Sequence, residues 1–492
     1  MGTHPQSRRI AIIGAGPGGL GAAIQLKARG YDELVILEKA SGVGGTWQHN
    51  RYPGAACDVQ SHLYSYSFAI KKDWTRPYAT QPEILAYFEQ IADNFDLRRH
   101  LRLDTMVTSA HWDEECALWR LVTAAGEEIV ADIVIGASGM FNELNWPVID
   151  GLDSFGGTIF HSARWDRSHD LTGERVAVIG SAASAVQFVP EIAQQAGQLH
   201  VFQRTANWVL PKDDTPFTPE QLEHFRTDPL AVRQHRWEIF RRVESAITFS
   251  NPDALAATEV IGRRHLDAVV DPEVRAKLTP HVPYGCQRPL VSSEYFPTFN
   301  RPNVELVTDR ISKVTADSIV TADGVERPVD TIVVSTGFKT TRYFSAIEVV
   351  GRGGQRLDDA WNDGAQAYLG ITTSGFPNLF MLYGPNTNNG SIIFMLECQI
   401  AYLVRQIERM DAEQIVWLDV HRDVMDRYNV EVQQDCLGID VWQASCSGYY
   451  RSPSGRIVTQ WPHTMSEYRD RTGRPDDNAY EVHFGRPLAL PG

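Results

Sequence analysis

The chain of 492 residues spans roughly three domain-sized units at about 150 residues each, which excludes a single small binding module. Apolar residues at 43%, charged residues at 22% and 12 Trp exclude disordered and fibrous classes and provide for a sizeable core. A formal charge of −15 repels phosphate backbones and anionic lipid, and no apolar run is long enough to span a bilayer or serve as a secretory leader, so the reading is a cytoplasmic protein without nucleic-acid or membrane partners.

In chain order, Arg9 to Ile13 read as a short buried strand. Gly14-Ala15-Gly16-Pro17-Gly18-Gly19 turns the chain into a helix from Leu20 to Leu26, and Glu33 to Leu37 is a second strand that ends at Glu38. Asp132 to Gly139 is a strand running into a small-residue turn. A second unit of the same design follows: strand Arg175 to Ile179, turn Gly180 to Ala185, helix Val186 to Gln194 and strand Gln198 to Gln203. Residues 217–280 are charged, helix-patterned and interrupted at Asn251-Pro252 and Asp271-Pro272, which predicts a helical insertion covering one face of the second unit. Asp330 to Gly337 repeats the design of 132–139, so both stretches mark crossings between domains. The loop Gly384 to Gly390 precedes an apolar helix from Ile392 to Ile407. The predicted fold class is α/β with two Rossmann-like dinucleotide-binding domains. Residues 1–150 and 338–492 form a discontinuous first domain, and 151–337 a second that contains the insertion.

Gly14, Gly16 and Gly19 have the G-x-G-x-x-G spacing between a strand and a helix. One glycine makes the tight turn, one lets backbone amides approach a pyrophosphate, and one lets the helix pack closely. Glu38, about 20 residues on, is placed to accept from ribose hydroxyls. In the second unit Ala182 and Ala185 replace the later glycines, leaving Gly180, Ser181 and Ser184 in the turn, and the place equivalent to Glu38 holds Arg204, followed by Thr205. A guanidinium suits a 2′-phosphate where a carboxylate suits a free hydroxyl, so the first site reads as FAD and the second as NADPH. Disulfide-reductase chemistry needs a cysteine pair beside the flavin, and the six cysteines, at 57, 116, 286, 398, 436 and 446, contain no CxxC pair. They read mostly as reduced core thiols, and no metal site is spelled out. The stretch after the first unit, Gly44-Gly45-Thr46-Trp47 and then Asn50 to Asp58, suggests instead a cover for a flavin ring.

These segments, together with Phe155-x-Gly157-x-x-x-His161-x-x-x-Trp165-Asp166 just ahead of the second unit, resemble the class B flavoprotein monooxygenases and, within them, the type I Baeyer–Villiger monooxygenases. The resemblance implies that FAD reduced by NADPH reacts with O2 to give a C4a-peroxide, which inserts one oxygen beside the carbonyl of a small-molecule ketone to yield an ester or lactone. It also implies cofactor contacts from Gly45, Thr46 and Trp47, and a structural role for His161 in the linker between domains. The segment Pro283-Tyr284-Gly285-Cys286-Gln287-Arg288-Pro289 is similar to the family segment that supplies the catalytic arginine, which assigns that role to Arg288 and the carboxylate that positions it to Asp58. Two departures stand out. Gln287 replaces a Lys that in many relatives touches the 2′-phosphate, so the preference for NADPH rests on Arg204 and Thr205. Gly448, within Cys446-Ser447-Gly448-Tyr449-Tyr450, stands where relatives often have Trp. Three other readings share the two nucleotide sites: a monooxygenase of nitrogen or sulfur, an NADPH-dependent flavin reductase or oxidase, and a nucleotide sensor. Trp165-Asp166 and Arg288 favour the ketone reading.

Overall fold

The computed structural model describes residues 8–341, 343–344, 346–444 and 450–485; Cys446 and Gly448 lie outside the described residues. Two parallel five-stranded sheets organise the chain. The first runs in the order Leu379–Met381, Ile133–Gly136, Ile10–Ile13, Leu34–Leu37 and Leu101–Arg102. The second runs Val304–Val307, Gln198–Phe202, Arg175–Ile179, Thr331–Val334 and Thr158–His161. The middle strand of each sheet leads into a glycine turn: Ile10 pairs with Leu34 and Ile133, and Val176 with Leu199 and Thr331. These strands are covered on both faces, which is why they read as unbroken Val/Ile/Ala runs.

The first helix, Pro17–Lys27, starts earlier than the apolar pattern predicts, because Gly16 is its N-cap and Pro17 takes the first position, where no amide bond is lost. Its partner in the second unit, Ala185–Ile192, is shorter than predicted, and the helix that begins at Ile392 runs on to Ala412.

The two crossings between sheets lie side by side. Leu144 bridges Phe338, the Asn145 amide donates to the Gly337 carbonyl at 2.9 Å, and the Lys339 amide donates to Glu143 at 2.9 Å. Chain leaving the first sheet is thus zipped to chain returning to it.

The insertion forms four helices, Pro219–Thr227, Ala231–Ala246, Pro252–Leu266 and Pro272–Leu278. The expectation that all of it covers the second unit does not hold. Ile239 and Phe240 belong to the core of the first sheet, where Phe240 meets Phe394 at 5.1 Å. Arg236 donates to the carbonyls of His62, Leu63 and Ser65 at 2.7, 3.1 and 2.8 Å. Leu266, Val269 and Leu278 join the core of the second sheet instead. The reason is that Ala231–Ala246 carries its own narrow apolar stripe, and nothing in a stripe says which sheet it will meet.

Cys57, Cys116, Cys398 and Cys436 are free, and Cys286 is disulfide-bonded. Among the described residues no helix is long and apolar enough to cross a membrane, and no group of three metal-ligating side chains occurs.

The closest backbone approach in the first turn sets a test of this packing. A Cβ on Gly19 would lie 1.9 Å from the Gly14 carbonyl oxygen, which is backbone and cannot swing aside. Gly19→Ala is expected to lower the stability of the cofactor-free protein by about 2–3 kcal/mol in denaturant melts; an unchanged midpoint contradicts the packing described.

Candidate active site

A cleft of 1790 Å³ separates the two sheets and is lined by both glycine turns. In the first turn Gly14 has φ +110°, and a Cβ there would sit 2.5 Å from the Ala137 carbonyl oxygen. Buried Glu38 is held at the end of its strand: Oε2 accepts from the Ala15 amide at 2.7 Å and Oε1 from the Ala40 amide at 2.8 Å. Its remaining lone pairs are available to sugar hydroxyls at the cleft wall.

Helix Pro17–Lys27 has no side-chain cap, so the first amides of the helix, with their share of the helix dipole, face the cleft beside Gly16 and Gly18. A Cβ on Gly16 would meet nothing nearer than the Gly45 Cα at 3.5 Å. The protein itself leaves room at this glycine, and that room is what a pyrophosphate requires. Gly45, at φ +55°, presses on the same turn, since its own Cβ would lie 2.9 Å from the Gly16 Cα, and the Gly44 amide donates to Ala15 at 2.9 Å. Thr46 follows on the cleft wall, and buried Trp47 donates from its indole to the Tyr64 hydroxyl at 3.1 Å. Anion-seeking amides with a carboxylate at the sugar position fit FAD.

The second turn repeats the strained glycine: Gly180 has φ +112°, and its Cβ would lie 2.3 Å from the Ser335 carbonyl oxygen. Ala182 to Ser184 form an open turn before the helix begins at Ala185, and Ser184 gives the helix no side-chain cap. Ser181 is buried, with its carbonyl accepting from Asn207 at 3.1 Å. Arg204 is exposed on the cleft wall beside Thr205 and makes no hydrogen bond or ion pair with its side chain among the described residues. An uncommitted guanidinium at this position fits the 2′-phosphate of NADPH.

Between the two turns, Arg51 to Asp58 is docked on the helix of the second unit. The Tyr52 hydroxyl donates to Gln187 Oε1 at 2.9 Å, and Gln187 Nε2 donates to the Ala56 carbonyl at 3.0 Å. The approach is close enough that a Cβ on Gly54 would lie 2.7 Å from the Gln187 carbonyl oxygen. Phe188 stacks edge-on against Tyr52 at 5.8 Å and touches Trp165 at 5.2 Å. This docking carries Asp58 to Arg288, whose Nη2 donates to Asp58 Oδ2 in an ion pair on the cleft wall. Burial alone would raise the Asp58 carboxyl; the charge and hydrogen bond of Arg288 outweigh it and hold the carboxyl below its ordinary value. The neighbouring free thiol of Cys57 is pushed up by burial, which keeps it protonated and inert.

His161 is 1% exposed, its Nδ1 accepts from the Ala163 amide at 3.1 Å, and burial pushes its pKa down to about 4, so the ring is neutral near neutral pH. It packs between Trp146 at 5.7 Å and Phe338 at 6.1 Å, one from each crossing segment. Phe155 packs under the second sheet, Gly157 lies where a Cβ would be 2.2 Å from the Asp330 carbonyl oxygen, and Asp166 Oδ1 caps a turn by accepting from Ser168 at 2.9 and 2.6 Å. None of Phe155, Gly157, His161, Trp165 or Asp166 lines the cleft.

The sequence reading missed Gln187, although a lone amide inside the apolar run Ala185-Val186-Gln187-Phe188-Val189 is a visible signal. It also missed Tyr78 and Arg242, which line the cleft from segments without a motif.

A profile of the pyridine nucleotide-disulphide oxidoreductase family matches residues 11–239, which takes in both glycine turns. A Baeyer-Villiger monooxygenase of Pseudomonas aeruginosa is 41% identical over 96% of this chain and 91% of its own length. Another of the same name from Streptomyces coelicolor is 42% identical over 98% of this chain and 94% of its own. Among solved structures, an oxidized steroid monooxygenase bound to NADP superposes with a TM-score of 0.87 at 33% identity, covering 98% of this chain and 100% of that one.

Two substitutions test the two nucleotide sites. Gly16→Ala should leave the stability of the cofactor-free protein within about 0.5 kcal/mol yet weaken FAD binding about tenfold or more, about 1.4 kcal/mol; unchanged FAD affinity by titration contradicts the assigned space. Arg204→Ala should raise the KM for NADPH about tenfold or more and shrink the preference over NADH; an unaltered NADPH to NADH ratio removes Arg204 from the site.

Proposed function

The chain belongs to the Baeyer–Villiger monooxygenases, and from that premise we propose that Arg288, positioned by Asp58, stabilises the negative charge that develops as oxygen is inserted next to the carbonyl of a small-molecule ketone. The enzyme is FAD- and NADPH-dependent. When bound, FAD supplies the redox chemistry, taking a hydride from NADPH and activating O2.

The protein's own residues do the rest. Gly14, Gly16 and Gly19 shape the turn that holds the flavin pyrophosphate, Glu38 holds its ribose, and Gly45, Thr46 and Trp47 close over it. Gly180, Ser181 and Ser184 receive the second pyrophosphate, with buried Ala185 opening the helix behind them and Arg204 and Thr205 at the 2′-phosphate. His161, with Phe155, Gly157, Trp165 and Asp166, keeps the paired crossings in register, so that the second domain can move relative to the first without losing alignment. A cytoplasmic setting fits an enzyme that consumes NADPH.

The observation that carries this reading is the Arg288–Asp58 ion pair, drawn from two different parts of the chain onto the wall of a cleft shared by both nucleotide turns. A guanidinium presents donors in a rigid fork, and one edge engaged by Asp58 fixes the direction of the others. In a cleft emptied of water by two dinucleotides and a ketone, those donors act on developing oxyanion charge more strongly than they would in solvent. Because the Asp58 carboxyl is held below its ordinary value, the pair stays charged down through mildly acidic pH and is lost as pH falls through that lowered value.

Arg288→Ala should therefore keep NADPH-driven flavin reduction near the wild-type rate while ester formation falls about 100- to 1000-fold. Reduction is followed by stopped-flow absorbance and ester by mass spectrometry. An ester yield equal to wild type refutes the assignment, and products formed only from sulfides or amines refute the ketone reading.

A further inference from the structure

The inserted helix Ala231–Ala246 supplies a wall of the cleft. Ile239, Arg242, Val243 and Ala246 follow one another at helical spacing, so they share a face, and all four line the cleft with Ile247 just beyond. Most of this stripe is apolar. Arg242 is the exception, and its side chain makes no hydrogen bond or ion pair among the described residues.

Arg204 and Arg310 also line the cleft without a side-chain partner among the described residues, but several other cations of the two units are committed. Arg288 pairs with Asp58, Arg236 lies 3.8 Å from Glu397, and Lys212 and Arg76 lie 3.4 and 3.7 Å from Asp214. Tyr78 relates Arg242 to the reacting end of the cleft. Its phenol is raised by burial, and it feels Arg242 together with the carboxylates Asp214 and Asp58. Tyr78 therefore stands within charge range of both Arg242 and Asp58. The cleft thus offers a cation at Arg288, an apolar wall of Ile239, Val243 and Ile247, and on the same helical face as that wall the unpartnered Arg242.

We propose that Arg242 is an anion subsite of the substrate cavity, and that the favoured substrates are ketones with an aliphatic chain ending in a carboxylate. The proposal rests on the ketone reading of the site. A substrate of this kind sets its carbonyl at Arg288, lays its chain along the stripe and sets its carboxylate at Arg242. A ketone bearing an ammonium group meets two guanidinium groups and is disfavoured. The reaction balances as usual: ketone, O2, NADPH and a proton give ester, water and NADP+, and the carboxylate is untouched. The 2′-phosphate of NADPH is not a rival occupant, because Arg204 and Thr205 stand beside the second glycine turn and Arg242 is on the inserted helix.

The test compares a straight-chain methyl ketone with the keto acid of the same chain length, using the FAD-loaded full-length enzyme. Wild type should show a kcat/KM for the keto acid about tenfold above that for the methyl ketone, about 1.4 kcal/mol of discrimination, and the ratio should shrink as salt is raised. Arg242→Gln should bring the ratio to about one, Arg242→Lys should restore part of it, and the KM for NADPH should hold in both. A ratio unchanged by Arg242→Gln overturns the proposal, and so does a rise in the KM for NADPH with no change in ratio. If wild type oxygenates the methyl ketone but not the keto acid, the subsite fails while the ketone reading stands. If it oxygenates neither, both fall.

Discussion

The site depends on one contact between two parts of the chain that are far apart in sequence. Gln187, on the helix that follows the second glycine turn, takes a hydrogen bond from Tyr52 and gives one to the carbonyl of Ala56, and Gly54 permits the approach. Phe188 and Trp165 back this contact with aromatic surface. Without it, Asp58 has no reason to meet Arg288, because the two residues come from segments attached to different sheets. A charge pair assembled across such a boundary holds only while the two sheets keep their relative position. The paired crossings at 143–145 and 337–339, with neutral His161 packed between Trp146 and Phe338, tie the two sheets together at this edge.

The acidity of the chain bears on the same cleft. A protein of charge −15 must hold two dinucleotides that are themselves anions, so attraction has to be local. Uncapped helix ends supply part of it at both turns. Side chains supply the rest. Near the first turn, burial and the charges of Arg164, Lys39 and Arg51 push His49 down to about 4, which marks a positive field in that corner. Arg204, exposed on the cleft wall at the second turn, is placed to add to it. Cations on the wall of the cleft thus stand inside a chain that is acidic overall.

Much of this was legible in the sequence, for a physical reason. Glycine turns, the strands that feed them and the residue that ends the next strand are local features whose chemistry is set within about 20 residues, so Gly14 to Glu38 and Gly180 to Thr205 read correctly as turns and strand ends. Long-range pairings were legible only through family resemblance: nothing near Arg288 points to Asp58. The insertion was legible as helix but not as placement, because the stripe holding Ile239 and Phe240 fits either core equally well until the chain closes. Arg242 was invisible for the same reason, since a charged residue on a charged helix carries no sign of which cleft its exposed side chain borders. Helix starts were misread where a glycine N-cap and a proline stand ahead of the apolar pattern, as at Gly16 and Pro17.

The central claim is that Asp58 acts only through Arg288. A double-mutant cycle measures it directly, with ester formation and NADPH-driven flavin reduction recorded for Asp58→Asn, Arg288→Ala and the pair. If Asp58 serves to aim the guanidinium, its substitution costs ester formation on its own but adds nothing once Arg288 is gone, so the double variant matches Arg288→Ala, with reduction intact in all three. Losses that multiply in the double variant would contradict the account, because they would give Asp58 a role of its own in the reaction.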